Sequence, residues 1–163
     1  MKPAAARFQA ALDALGLRRR VIELPVEART SQQAADAVGV GVGQIAKSLV
    51  FMVDGAPVMV IASGVNRVDE RKLATLAAGK VRRADADTVK QATGYTIGGV
   101  PPFGHETALR LWIDEDLLRH DLIYAAGGVP ECVFPLTPEE LLKATGGTVA
   151  DVKESKSPKG EPS

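Results

Sequence analysis

The chain has 163 residues, of which 45% are hydrophobic and 25% charged, as expected of one globular domain with its own core. Its 20 basic and 20 acidic residues cancel, which excludes a global attraction to polyanions, so any nucleic acid must be held by local clusters. A single cysteine, Cys132, excludes an internal disulfide. Without an apolar membrane-length run or a signal-peptide core, we expect a cytoplasmic protein that does not enter membranes.

Hydrophobic periodicity and turn residues predict short strands interleaved with helices. The capping box formed by Thr137, Pro138 and Glu140 marks the start of the last helix. The count of six or seven strands and four or five helices indicates a mixed α/β domain with a largely antiparallel or mixed sheet. The predicted helices cover 3–15, 32–38, 69–77, 85–92 and a segment from 138, and the predicted strands cover 21–24, 49–53, 58–62, 80–83, 109–113, 122–126 and 132–134.

The domain is predicted to span 1–152. From 153 to 163 the sequence is polar, contains proline and has no apolar anchor. Such a segment buries too little apolar surface to offset the entropy of ordering, so we expect a disordered tail.

Lys47 precedes an apolar run over 49–53, which is typical of a strand buried on both faces. Asp54 and Gly55 follow as a tight turn, and 58–62 as the returning strand. We therefore expect Lys47 at the edge of a packed sheet, where a short helical turn at about 42–46 meets the strand. Position alone also allows an ordinary lysine whose stem is buried and whose ammonium is solvated.

The segment 94–105 contains four glycines and two prolines, which predicts a loop of fixed shape. Glycines let main-chain amides approach a ligand closely, so the loop could bind a carboxylate or a developing oxyanion. A purely structural turn, with its amides satisfied internally, explains the same pattern equally well.

No metal or cofactor site is predicted. His105 and His120 have no potential ligands at metal-site spacing and are expected to be surface residues. Cys132 lies in an apolar strand, where cysteine is usually inert. A Walker loop is absent, and the glycines at 39–43 lack the strand and spacing of a dinucleotide fingerprint.

The segment 43–51, Gly-Gln-Ile-Ala-Lys-Ser-Leu-Val-Phe, followed by 98–104, Gly-Gly-Val-Pro-Pro-Phe-Gly, resembles the YbaK family of prolyl-tRNA synthetase-associated editing domains. Similar C-terminal segments occur at 124–128 and 135–141. The resemblance implies a barrel-like, largely antiparallel mixed sheet flanked by helices. It also implies an enzyme that hydrolyses mischarged aminoacyl-tRNA, chiefly small amino acids on proline tRNA, without metal or nucleotide.

Carried onto this chain, the resemblance makes Lys47 the essential lysine and Gly98 and Gly99 the lining of the aminoacyl pocket. Lys47 would position the terminal adenosine as an ammonium or, if burial lowers its pKa, act as a base; we favour the ammonium. The further substrate-binding residues that it implies are Thr30, Ser48, Val100, Phe103, Gly104, Ala126 and Gly127.

Two departures from the family pattern bear on the substrate. Members that clear alanine carry asparagine after the lysine and a Gly-His-Pro segment, whereas here Ser48 follows Lys47 and 127–130 has no histidine. We expect acyl groups between alanine and 2-aminobutyrate in size, with cysteine, serine and threonine open.

The expected partners are mischarged proline tRNA and prolyl-tRNA synthetase. Basic clusters at 18–20, at 67 with 71–72, and at 80 with 82–83 are candidate phosphate contacts or solvated surface. Two other classes remain open, a non-catalytic module that binds tRNA or synthetase and a small-molecule ester hydrolase. No pattern indicates an oligomeric state.

Overall fold

A computed structural model describes residues 1–25 and 28–155. Within these ranges no helix is long and apolar enough to cross a membrane. The helices are α1 (Pro3–Ala14), α2 (Ser31–Val38), α3 (Glu70–Ala77), α4 (Ala86–Thr93) and α5 (Pro138–Thr145), with 3₁₀ turns at Val42–Gln44 and Glu115–Arg119. The strands are β1 (Ile22–Glu23), β2 (Ile45–Val53), β3 (Ala56–Ser63), β4 (Val81–Arg83), β5 (Arg110–Asp114), β6 (Ile123–Ala126), β7 (Cys132–Leu136) and β8 (Thr148–Ala150).

The eight strands form one mixed sheet in the order β1-β7-β6-β2-β3-β5-β8, and β4 pairs additionally with β2. Pairs β1–β7, β6–β7, β2–β3 and β2–β4 are antiparallel, whereas β2–β6, β3–β5 and β5–β8 are parallel. The predicted mixed α/β fold is confirmed. The barrel-like description was wrong, because β1 and β8 end the sheet at opposite sides and do not pair with each other, so the sheet stays open.

The long strand β2 pairs with β3 from Ala46 opposite Ser63 to Val53 opposite Ala56. Asp54 and Gly55 join them with φ angles of 49° and 83°. Two successive positive φ values are those of a type I′ hairpin turn, so the expected tight turn is confirmed.

Lys47 is the third residue of β2, because the strand begins at Ile45. The expectation that Lys47 lies before the strand was therefore wrong. The short helical turn ends three residues earlier, at Gln44.

Apolar clusters cover both faces of the sheet. On one face Phe8 of α1, Phe103 and Phe134 of β7 stack with ring centroids 4.9–5.9 Å apart. On the other face Phe51 and Leu73 belong to a second cluster with β3, α3 and β5. Successive residues of β2 contribute to alternate clusters, which explains the unbroken apolar run in the sequence.

Local signals fixed most helix ends. Thr137 and Glu140 form the expected capping box at α5, and Thr30 forms another with Gln33 at α2. The end of α3 differs, because Ala78 rather than Gly79 adopts the left-handed conformation, with φ of 57°. Gly79 is needed for space, since a Cβ there would lie 2.5 Å from the Asp54 Oδ2.

The C-terminal boundary at 152 stays a prediction. Val152 is buried, and Lys153 forms a β-bridge with Val68 and an ion pair of 3.0 Å with Asp116. Residues 156–163 of the predicted tail lie outside the described residues.

Replacing Phe134 with alanine should lower the free energy of unfolding by about 3–5 kcal/mol, because it removes the ring that contacts both other phenylalanines of a fully buried cluster. Urea unfolding followed by circular dichroism measures this. As a matched control, Leu118→Ala should stay within about 0.5 kcal/mol, since Leu118 is 41% exposed. Equal losses in the two variants would contradict this view of the core.

Candidate active site

A break in strand pairing opens a cavity in the sheet. Along the β2 edge opposite β3, β6 pairs only with Ile45 and Ala46, and β4 pairs only with Phe51–Val53. Residues 47–50 therefore have no strand partner on this edge among the described residues. A cavity of about 340 Å³ occupies the resulting gap.

The cavity walls are mostly small apolar side chains, with charged groups at Lys47, Arg29 and Arg83. Such a site suits a small acyl group attached to a polar carrier. The lining residues are Ala28, Arg29, Thr30, Ser31, Ala34, Ile45, Ala46, Lys47, Ser48, Leu49, Val50, Phe51, Arg83, Ala84, Val89, Ile97, Gly98, Val100, Tyr124, Ala125, Ala126, Pro130, Cys132 and Val133.

The Lys47 side chain is half-buried in the cavity wall and makes no ion pair or hydrogen bond with any residue that the structure describes. Burial lowers its pKa from the ordinary value, and the positive charges of Arg83 and Arg67 act in the same direction. The negative charge of Asp114 opposes this lowering. The side chain thus offers unused hydrogen-bond donors in a sheltered position.

Asp114 is the buried charge that sequence reasoning missed. Its Oδ2 accepts hydrogen bonds from the Ser63 amide at 3.0 Å and the Asn66 Nδ2 at 2.8 Å, and its Oδ1 accepts one from the Asp116 amide at 2.9 Å. These donors fix an anion at the end of β5 without a direct ion pair to Lys47. An aspartate directly after the apolar strand 111–113 was the available signal.

Gly98 and Val100 line the cavity, and Gly98 has a φ of 92°, which favours glycine. The Gly99 amide donates to the Thr96 carbonyl at 3.0 Å, so it is not free for a ligand as the sequence had suggested. Gly99 instead permits close packing, because a Cβ there would lie 2.6 Å from the Val129 Cα. The amides of Gly98 and Val100 make no hydrogen bond within the described part of the chain.

His105 holds the loop in shape. Its Nε2 lies 2.6 Å from the Pro101 carbonyl oxygen, and the side chain is half-buried. His120 is half-buried as well, so the expectation that both histidines are surface residues was wrong. Burial lowers the pKa of His105, although the bond to Pro101 partly offsets this. A neutral imidazole with its proton on Nε2 suits that bond, since a carbonyl accepts only.

The other residues implied by the motifs separate into two groups. Thr30, Ser48 and Ala126 line the cavity together with Lys47, Gly98 and Val100. Phe103, Gly104 and Gly127 lie outside it: Phe103 packs against Phe8, a Cβ at Gly104 would lie 3.3 Å from the Ala11 Cβ, and a Cβ at Gly127 would lie 3.0 Å from the Val21 Cγ1.

The cavity supplies neither a metal site nor an activated thiol. Among the described residues, no group of three or more His, Cys, Asp or Glu side chains could hold a metal ion. Burial raises the pKa of Cys132, and the negative charges of Glu23 and Glu131 add to this, which disfavours the nucleophilic thiolate.

A second, polar hollow of about 380 Å³ adjoins this site. Arg67, Arg71 and Arg83 line it together with acidic residues at 69, 70 and 154. Asp69 is engaged as the N-cap of α3, and Glu154 lies 3.7 Å from Arg67 in an exposed ion pair. We call this second space the arginine-rich hollow. Since Arg83 lines both spaces, the arginine-rich hollow continues from the cavity.

Comparison with known families adds to this geometry. Residues 26–144 match the family described as aminoacyl-tRNA editing domain. A crystal structure of a proposed trans-editing enzyme for prolyl tRNA synthetase superposes with a TM-score of 0.92 at 47% identity, covering 95% of this chain and 99% of the other. The resemblance that we drew from the two motifs is therefore confirmed.

Two curated relatives match over most of their length. The uncharacterized protein YwhH of Bacillus subtilis is 34% identical over 122 residues, 74% of this chain and 78% of the relative. EbsC of Enterococcus faecalis, whose name proposes a Cys-tRNA(Pro)/Cys-tRNA(Cys) deacylase, is 26% identical over 125 residues, 76% of each chain.

Lys47→Met should raise the free energy of unfolding at neutral pH, because it removes a desolvated ammonium that has no partner among the described residues. In wild type this penalty is fully present below the folded-state pKa of Lys47. Stability should therefore rise with pH between that pKa and the ordinary value of 10.5, where the unfolded chain binds more protons. Urea unfolding against pH, with Lys47→Met as the reference, measures the difference. A wild type that loses stability relative to Lys47→Met over this interval would contradict the burial effect.

Proposed function

Because the chain belongs to the family of aminoacyl-tRNA editing domains and is an aminoacyl-tRNA deacylase, we propose that it acts in trans on proline tRNA charged with a small wrong amino acid. The observation that supports this most is that Lys47 and Gly98 border one sheltered cavity with small apolar walls. The expected products are free proline tRNA and an amino acid. We expect the reaction to proceed without a covalent enzyme intermediate.

The proposed reaction is attack of water on the ester carbonyl. The water oxygen bonds to the carbonyl carbon and gives up a proton, the oxyanion collapses, the bond to the ribose oxygen breaks, and that oxygen takes up the proton that the water gave up. Amides of the loop at Gly98 and Val100 are candidate donors to the oxyanion. The Lys47 ammonium holds a phosphate or hydroxyl of the terminal adenosine, which aligns the ester without a protein nucleophile.

We infer the size of the cleared amino acid from the small side chains in the walls of the cavity. Alanine at 46, 84, 125 and 126 leaves room for a short side chain, and we propose acyl groups from alanine to 2-aminobutyrate. One methylene changes binding by only about 1–3 kcal/mol, so cysteine, serine and threonine belong in the same panel. The name of the Enterococcus relative supports testing cysteine first.

Lys47→Ala should lower kcat/KM for deacylation by about 10²-fold or more, because the charged group that aligns the ester is lost. The measurement is release of labelled alanine, 2-aminobutyrate, cysteine, serine and threonine from proline tRNA. Lys143→Ala, an exposed lysine of α5 outside the cavity, is the matched control and should keep the wild-type rate.

Undiminished release by Lys47→Ala would refute the role of Lys47. Lys47→Arg keeps the charge but cannot act as a base at neutral pH, so it should retain more activity than Lys47→Ala if the ammonium positions the substrate. Retention of tRNA at low salt with no turnover on the whole panel would favour a binding module. Turnover of free aminoacyl esters that tRNA does not inhibit would favour a small-molecule hydrolase.

The arginine-rich hollow is the proposed contact for the RNA backbone at the 3′ end. Arg67 and Arg83 lie close enough to Lys47 to influence its pKa, and Arg83 also borders the cavity. Phosphates that flank the terminal adenosine would meet these guanidinium groups, which suit bidentate phosphate contacts. The partner synthetase would be prolyl-tRNA synthetase, and such a role in translation would be carried out in the cytoplasm.

Combined replacement of Arg67 and Arg83 by glutamine should flatten the salt dependence of tRNA binding. If each arginine contacts one phosphate, the slope of log K against log salt should shrink by about 1.4. Filter binding between low and moderate salt measures the slope. The double variant Arg18→Gln with Arg20→Gln changes residues that line neither the cavity nor the arginine-rich hollow, and it should keep the wild-type slope. A smaller slope in this variant, with an unchanged slope in the Arg67 and Arg83 variant, would move the RNA contact to that cluster.

A further inference from the structure

We infer that the unpaired edge of β2 at Ser48 and Val50 binds the aminoacyl group as a single residue added to the sheet. The Ser48 carbonyl accepts a hydrogen bond from the α-ammonium, and the Val50 amide donates one to the ester carbonyl. This rests on the proposed function and assigns the polar recognition of the amino acid to main-chain atoms of a strand, beside the glycine loop.

The direction of these groups follows from the β2–β3 ladder. The Ile45 carbonyl accepts from the Gly64 amide beyond the end of β3, so odd-numbered residues of β2 direct their main-chain groups towards β3. Even-numbered residues must then direct theirs to the opposite edge. The Val50 carbonyl does so, since it accepts from the Ala84 amide at 3.4 Å.

Three main-chain groups are consequently left over at the gap. Pairing with β6 stops at Ala46 and pairing with β4 begins at Phe51, so no strand meets the Ser48 amide, the Ser48 carbonyl or the Val50 amide. No side chain of the described residues bonds to them either. The Ser48 hydroxyl is also buried without a hydrogen-bond partner in this part of the chain.

Buried main-chain groups without a hydrogen-bond partner are rare in folded proteins. Val50 belongs to this class, because it is only 8% exposed. Here they lie together on the wall of the cavity. A donor and an acceptor on alternate residues of a strand edge are what an added strand uses. An aminoacyl ester carries the complementary pair, an ammonium and a carbonyl separated by one carbon.

The arginine-rich hollow selects the orientation. An acyl group bonded to the Ser48 carbonyl and the Val50 amide runs parallel to β2, as a one-residue bridge opposite Leu49. Its ester oxygen then points towards the Phe51 end of β2, where β4 brings Arg83. The reverse orientation, which would use both main-chain groups of Ser48, would direct the RNA towards β6 instead.

This binding mode supplies one donor for the reaction. As water adds to the carbonyl carbon, negative charge grows on the oxygen that the Val50 amide already contacts, so the hydrogen bond strengthens in the transition state. The oxygen's other lone pairs remain available to the glycine loop. At the same time the Ser48 carbonyl accepts a hydrogen bond from the free α-ammonium.

The test replaces one main-chain amide. Incorporating 2-hydroxyisovaleric acid at position 50 turns the Val50 N–H into an ester oxygen and leaves the side chain unchanged. Because this amide is outside the β3 ladder, the fold should persist, as thermal unfolding will verify. We expect kcat for deacylation to fall about 10²-fold. The same change at Val65, whose amide makes no described hydrogen bond and lies outside the cavity, should leave the rate unchanged.

The second arm uses the wild-type protein with propionyl- and alanyl-tRNA. Propionyl lacks the ammonium, so the ratio of enzymatic to spontaneous hydrolysis should fall at least about tenfold, as for a lost charge-assisted hydrogen bond. Equal ratios for the two acyl groups would overturn the inference. So would wild-type activity in the position 50 ester, or a loss found only in an equivalent ester at Ser48. Failure of the wild-type protein to deacylate any substrate would instead refute the proposed function and, with it, this inference.

Discussion

The structure depends on the strand β2, one edge of which pairs with two different strands in succession. β2 is paired with β3 from Ala46 to Val53, and its other edge is divided between β6 and β4. A strand edge that is divided in this way must leave an opening wherever one neighbour has ended and the next has not begun. The cavity is therefore a property of the sheet topology. The strands around it are held in place by the apolar clusters on both faces of the sheet.

The same opening explains the electrostatics. Lys47 lies where the strand is half sheltered, so its ammonium loses hydration without gaining an ion pair among the described residues. The compensating negative charge belongs to Asp114 on β5, which is separated from β2 by β3. Amide donors hold its carboxylate in place. A cation kept unpaired in this way can bind an anionic or hydroxyl group of a ligand without first breaking a salt bridge.

Local chemistry made much of this fold predictable from sequence. The turn at Asp54, the capping box at Thr137 and the apolar run of β2 each depend on neighbouring residues, and all three were placed correctly. β8 was missed because Thr148–Ala150 is short and pairs only with β5, a distant part of the chain. Whether the sheet closes also depends on distant strands, and the expected barrel was accordingly wrong.

The site was predictable only in part for the same reason. Lys47 and Gly98 could be identified from their motifs, but their shared cavity depends on where β6 and β4 stop. Phe103 and Gly104 lie outside the cavity, because the loop turns its aromatic residue into the core against Phe8. Asp114 and His105 act through contacts with residues that are several positions or several strands away, which no spacing pattern reveals.

The short strand β4 has a consequence for how such a protein could change its substrate. Only three residues attach it to β2, and the connection that follows it is the Ala84 bond of 3.4 Å. Lengthening or shortening this attachment by one residue pair would alter the span of the opening by one strand step, about 3.3 Å. Selectivity for a larger or smaller acyl group could then evolve through the register of a surface strand, while every side chain that faces the ligand stayed the same.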